Sequence, residues 1–234
     1  KRKNQKIIKS NVLNINNILS EIFGENNIPQ IGRRHTKYGK NIYDESIENS
    51  LEKVGDQYIQ NIIQNSNTIY RAYANCYYWR KNDLYDIDHR NIGYYSNLQT
   101  KMANYFKGLV IGWLNNKENE KIINPIFTKY SNINIKNINY IKEFIVKISI
   151  SDIPSNHIIE LFILSIIYSV PIIIINNYNN IIFICDNKEI YNIKDKEMLE
   201  KYNNIDIMKK GINLKYEFIG NSSIPIKIKS IYYI

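Results

Sequence analysis

The chain has 234 residues and a formal net charge of +9, from 31 Lys and Arg against 22 Asp and Glu. That length suits one large domain, or a domain with an extension, and such chains hide roughly 70% of their unfolded surface on folding. No stretch approaches the ~18 continuous apolar residues of a membrane helix, and two cysteines, Cys76 and Cys185, exclude a disulfide framework and favour a reducing, intracellular setting.

Taken in chain order, residues 1–30 are basic and Asn-rich. Their apolar positions, Ile7, Ile8, Val12, Leu13, Ile15, Ile18, Leu19 and Ile22, suit an amphipathic helix, with Ser10 as its cap and Gly24 as its stop. Lys1-Arg2-Lys3 and Arg33-Arg34 mark this arm as basic. Residues 30–44 read as a loop. A helix is expected from Glu45 to Ile63, with Ile47, Leu51, Val54, Tyr58, Ile59 and Ile62 on one face. After a loop at 64–67, a helix follows from Thr68 to about Trp79. The clearest helix opens at Ser96, where Leu98, Met102, Tyr105, Phe106, Leu109, Val110 and Trp113 recur at three and four. Residues 115–140 are polar and read as loop with short helical pieces, and Tyr140 to Ile148 suits either helix or strand. A helix from Ile158 to Tyr168 ends before Pro171. From there the pattern changes to short β-branched runs. Ile172–Ile175 and Ile181–Cys185 flank an Asn-rich turn, a strand-turn-strand signal that Ile190–Ile193, Leu214–Ile219 and Ile224–Ile234 continue. Helices first and a sheet last predict an α+β (α/β layered) domain. The abundance of Ile, Asn and Lys, all served by AT-rich codons, is taken as a genomic bias.

The stretch Asn65-Ser66-Asn67-Thr68-Ile69-Tyr70-Arg71-Ala72 resembles the nucleophile loop of the ovarian tumour (OTU) family of cysteine deubiquitinases, which reads Asp-Gly-Asn-Cys-Leu-Phe-Arg-Ala. Glu160-Leu161-Phe162-Ile163-Leu164 is similar to the family's Glu-Leu-x-x-Leu helix, and Val170-Pro171-Ile172-Ile173-Ile174 to the strand after it. The resemblance covers roughly residues 60–234. It implies a papain-like OTU-type domain over 61–234, helices packed on a small central sheet, with residues 1–60 as an N-terminal helical extension or basic arm.

The same resemblance marks a degenerate site. The thiolate chemistry of such proteases needs a cysteine whose pKa is depressed at a helix start beside a histidine. Here Thr68 holds that position, and an internal threonine lacks the chain-terminal amine that activates threonine nucleophiles. Its expected role is to cap the helix. The family's Asp-Gly is replaced by Asn65 and Ser66, and its histidine in the last strands is missing, because the three histidines are His35, His89 and His157. His157 falls where the family has a Gly-Gly loop and reads as a loop or cap residue. Cys76, two turns into the helix, and Cys185, in an apolar run, read as buried structural thiols. Asp86, Asp88 and His89 could ligate a cation, but their spacing matches no zinc or calcium pattern, and a charged loop is the plainer assignment.

These readings predict no catalytic residue, no metal and no cofactor, with Asn65, Asn67 and Thr68 as remnants of a site. Asn67, Thr68, Tyr70, His157 and Glu160 are the candidate binding residues. The leading function is a catalytically inactive OTU-like binding or structural module for ubiquitin, a ubiquitin-like protein or a larger assembly. One alternative is an active OTU-type cysteine deubiquitinase with rearranged groups. Another is a nucleic-acid or assembly protein acting through the basic arm, for which Tyr70, Tyr73, Tyr77, Tyr78 and Trp79 are weighed as stacking groups and assigned instead to the core.

Overall fold

The computed structural model describes residues 51–55, 57–62, 64, 66–82, 96–131, 139–150, 157–222 and 224–233. The basic clusters, the helix expected before Gly24, Asn65 and the Asp86–Arg90 segment lie outside the described residues. So do residues 45–50 of the helix expected at Glu45–Ile63. Within the described part of that helix the chain instead forms a hairpin, β1 (Leu51–Val54) and β2 (Gln57–Asn61). Val54 pairs with Gln57 across the turn, and Gly55 sits at φ 59. This left-handed backbone suits glycine and opens a tight hairpin. The helical spacing of Leu51, Val54, Tyr58 and Ile59 is overridden because β2 also pairs antiparallel with the last strand, from Gln57↔Tyr233 to Asn61↔Lys229. Leu51–Val54 and Gln57–Asn61 therefore belong to the sheet rather than to a helical extension.

Five helices follow: α1 (Thr68–Asn82), α2 (Ser96–Asn115), α3 (Glu120–Tyr130), α4 (Tyr140–Ile150) and α5 (Ile158–Tyr168). The expectation of mere helical pieces over 115–140 is corrected by α3. Its buried Ile123, Ile126 and Phe127 supply a helical face despite Pro125 inside it. The segment at 140 resolves as helix because Tyr140, Phe144 and Ile148 are buried four apart. Helix α5 matches the expected bounds. Ser169 ends it in the left-handed conformation, at φ 52, two residues before Pro171.

The remaining elements are β3 (Ile172–Ile175), β4 (Ile181–Cys185), β5 (Ile190–Asn192), α6 (Lys196–Tyr202), α7 (Ile205–Lys210), β6 (Ile212–Glu217) and β7 (Lys227–Tyr233). They complete a seven-stranded mixed sheet of order β1-β2-β7-β6-β3-β4-β5. Only the β3–β6 pair is parallel. The fold is α+β.

Both faces of the sheet are covered, which explains the unbroken Ile172–Ile175 run. Ile172 and Ile174 enter the core shared with α1, α2, α3 and α5, while Ile173 and Ile175 join Tyr202 and Met208 of α6 and α7 on the other face. Around α1 the core is aromatic. Tyr73 and Phe106 meet edge to face at 4.9 Å, and the rings of Tyr77 and Tyr168 lie tilted to one another at 4.8 Å. Tyr70, Tyr73 and Tyr77 are fully buried, so none is presented to a nucleic acid.

Candidate functional site

Helix α1 is buried on every side from Thr68 to Tyr77. It lies on the strands at the centre of the sheet. The Ser230 hydroxyl of β7 donates to the Ala72 carbonyl at 3.0 Å, and the Cys76 thiol donates to the Asn213 carbonyl of β6 at 3.2 Å. The start of the helix is set by Asn67, whose carbonyl accepts the first helical bond from Arg71 N–H at 2.9 Å. Asn67 is thus the capping residue and Thr68 the first residue inside the helix, which corrects the expectation that Thr68 caps it by one position. Thr68 is buried.

The Asn67 side chain reaches to α2. Its Nδ2 donates to Asn104 Oδ1 at 3.0 Å, and its Oδ1 accepts from Lys107 Nζ at 3.2 Å. Burial lowers the pKa of the Lys107 ammonium, and the nearby Glu160 carboxylate opposes that shift. Glu160, only 2% exposed in the first turn of α5, pairs with His157 Nδ1 at 3.0 Å. His157 occupies the N-cap position of α5 at φ 54, with no side-chain capping bond. A left-handed backbone at a residue other than glycine or asparagine is uncommon, and here the ring is held by the buried carboxylate. The Tyr70 phenol lies in the same field. Burial pushes its pKa well up and Glu160 pushes it further, and its hydroxyl is buried with no hydrogen-bond partner among the described residues.

Of the expected site residues, the structure therefore gathers Asn67, Tyr70, Glu160 and His157 into one polar group at the starts of α1 and α5. Tyr70 and Glu160 are its buried members and Asn67 and His157 its more accessible ones, while Thr68 is buried. The link is Lys107, which the sequence reading missed because a lysine on an amphipathic helix usually marks the solvent face. The other missed residue is Gln64, ahead of α1. Its amide donates to the Ile228 carbonyl at 3.1 Å and accepts from the Ile228 N–H at 3.2 Å, tying the loop before Asn67 to β7.

Among the described residues, β7 is the strand that meets the start of α1. Where β7 meets the loop before α1 and the first turns of the helix, it presents Ile228 and Ser230. Neither thiol is a substitute. Cys76 is buried between α1, β6 and β7, and burial pushes its pKa up to about 12, against smaller opposing effects of hydrogen bonds from its surroundings. Cys185 on β4 is fully buried, and burial together with the Asp186 charge pushes its pKa higher still. A thiol that resists ionisation and lies out of reach is chemically inert. Among the described residues, no three His, Cys, Asp or Glu side chains come together in a way that could hold a metal ion, and no helix is long and apolar enough to cross a membrane.

The chain is similar to an uncharacterized protein of Acanthamoeba polyphaga mimivirus, 36% identical over 241 aligned positions that take in 99% of this chain and 14% of the relative. The chain thus spans 14% of the length of the curated relative it matches. No family model and no solved structure matches it.

Proposed function

We propose that the chain is a binding module on an OTU-like scaffold that lacks thiol-protease chemistry, with ubiquitin or a ubiquitin-like protein as the partner class. The observation that carries this reading is the position of Thr68. It stands at the start of a buried helix that lies on the last two long strands of the sheet, β6 and β7. A cysteine protease of that plan would place its thiol there and its histidine on the adjacent strand. This chain has Thr68 at the helix start, and β7 (Lys227–Tyr233) contains no histidine.

Several features support loss of the chemistry rather than its relocation. Cys76 and Cys185 are sealed in the core. His157 pairs with the Glu160 carboxylate at the start of α5 and does not lie on the last strands.

Titration of isotope-labelled ubiquitin with the full chain tests the reading. Amide shifts that saturate in the micromolar range support it, and no shifts at high micromolar chain count against it.

A further inference from the structure

Among the described residues nine large apolar side chains are exposed, and four of them sit together on two neighbouring loops at one end of the sheet. Tyr178 (83% exposed) is in the β3–β4 turn. Ile219 (67%), Ile224 (41%) and Ile226 (49%) are in the connection from β6 to β7. Singly exposed apolar residues need no explanation, but a grouped set marks an interaction surface.

The two loops are fastened to one another. The Asn177 amide donates to the Phe218 carbonyl at 3.2 Å and accepts from the Phe218 N–H at 3.1 Å, as a strand neighbour would. Lys215 Nζ donates to Asn179 Oδ1 at 3.0 Å, and Ile226 N–H to the Glu217 carbonyl at 2.8 Å. Within the turn, Asn176 Oδ1 accepts from the N–H of both Tyr178 and Asn180. A surface fixed before binding loses little conformational entropy on binding.

We propose that this end of the sheet is a docking surface for a protein whose own apolar patch is ringed by carboxylates. The proposal is independent of whether the Thr68 region derives from a protease. Charge selects the partner. Lys215 and Lys227 flank the apolar group, while Glu217, the carboxylate of β6 at this end, is neutralised by Lys229 at 2.5 Å. The surface is therefore cationic around an apolar centre and fits an acidic rim. A second copy would bring like charges together. An anionic bilayer is disfavoured for two reasons. Two lysines are a weak electrostatic hold on such a surface, and the exposed Asn180 side-chain amide and Asn179 side-chain N–H groups need partners that hydrocarbon cannot supply.

The test is selection of a displayed random-peptide library on the full chain. The probes are peptides enriched on the wild type and not on an Ile219→Asp/Ile226→Asp double variant. Both positions are exposed, so the variant is required to melt within a few degrees of wild type, and Tyr178→Ala serves as a second variant. The expected result is a peptide class joining aliphatic or aromatic residues with Asp or Glu. Its binding should fall at least tenfold in either variant and weaken as salt rises. Enrichment of basic or uncharged peptides, or equal binding to wild type and variants, overturns the proposal. So does concentration-dependent self-association of the wild type lost in the variants, and so does variant-sensitive sedimentation with phosphatidylserine vesicles.

Discussion

If Cys76 is a core thiol rather than a relocated nucleophile, its alkylation must be slow in the folded chain and fast in the unfolded one. Its sulfur lies 3.2 Å from the Asn213 carbonyl and near the Ile231 carbonyl, beneath β6 and β7. Burial moves its pKa from 9.0 to about 12. At pH 8 the reactive thiolate fraction is then about 10⁻⁴, against about 10⁻¹ for the unperturbed thiol. Ionisation alone thus slows reaction about a thousandfold, and steric exclusion adds to that. Cys185 is held in the same way. The assay is iodoacetamide labelling followed by intact-mass and peptide mass spectrometry, with and without 6–8 M urea as denaturant. Both cysteines should label within minutes in urea and remain unmodified over hours in buffer. Rapid native labelling of Cys76 alone would refute the reasoning, because it would reveal an activated thiolate on α1.

The same burial shapes the pH dependence. Cys76 and Tyr233 both rise to about 12, and the Tyr70 and Tyr216 phenols also rise. Groups whose folded pKa is raised hold their proton longer in the folded state. Their contribution is complete below the unfolded values and is lost as pH climbs from about 9 through 12, at up to about 1.4 kcal/mol per pH unit per group. Urea midpoints should therefore be lower at pH 10.5 than at pH 7.5, and an unchanged midpoint would contradict the burial of these groups. At the hairpin, Gly55→Ala should destabilise by about 1 kcal/mol because the residue sits at φ 59. Were residues 51–61 helical, the same change would stabilise by a similar amount, so the sign of the shift in thermal melting decides. Glu160→Ala should cost about 1–3 kcal/mol by stranding the His157 partner, whereas Glu160→Gln should recover part of that loss in the same denaturation assay.

The elements easiest to read were those whose local and tertiary preferences agree. The Ile172–Ile175 and Ile181–Cys185 strands and helix α5 fell at their expected bounds, since β-branched runs flank an Asn turn and Pro171 forbids further helix. The hairpin at 51–61 was missed because its apolar positions also fit a helical period. The discriminating signal was Gly55-Asp56, a turn pair between the short segments Leu51–Val54 and Gln57–Asn61. Helices α6 and α7 were missed because only Met198, Leu199, Tyr202, Ile207 and Met208 face the sheet, too few to declare a period over such short segments. At the site, Asn67, Glu160 and His157 were legible from the motif, but their joining through Lys107 depends on how α2 crosses α1. That is a tertiary fact with no local sequence signature. The identity of Asn67 rather than Thr68 as the cap turned on one backbone hydrogen bond.

We propose a protease-like scaffold that lacks its nucleophile. It is tested most directly by intact-mass spectrometry after incubation with ubiquitin bearing a C-terminal electrophile, comparing wild type, Thr68→Cys and Ser66→Cys. The account predicts no adduct on the wild type and a slow adduct on Thr68→Cys that outpaces Ser66→Cys, because only position 68 opens the buried helix on β6 and β7. An adduct at Cys76 or Cys185 of the wild type would contradict the loss of chemistry, and equal labelling of the two variants would contradict the scaffold.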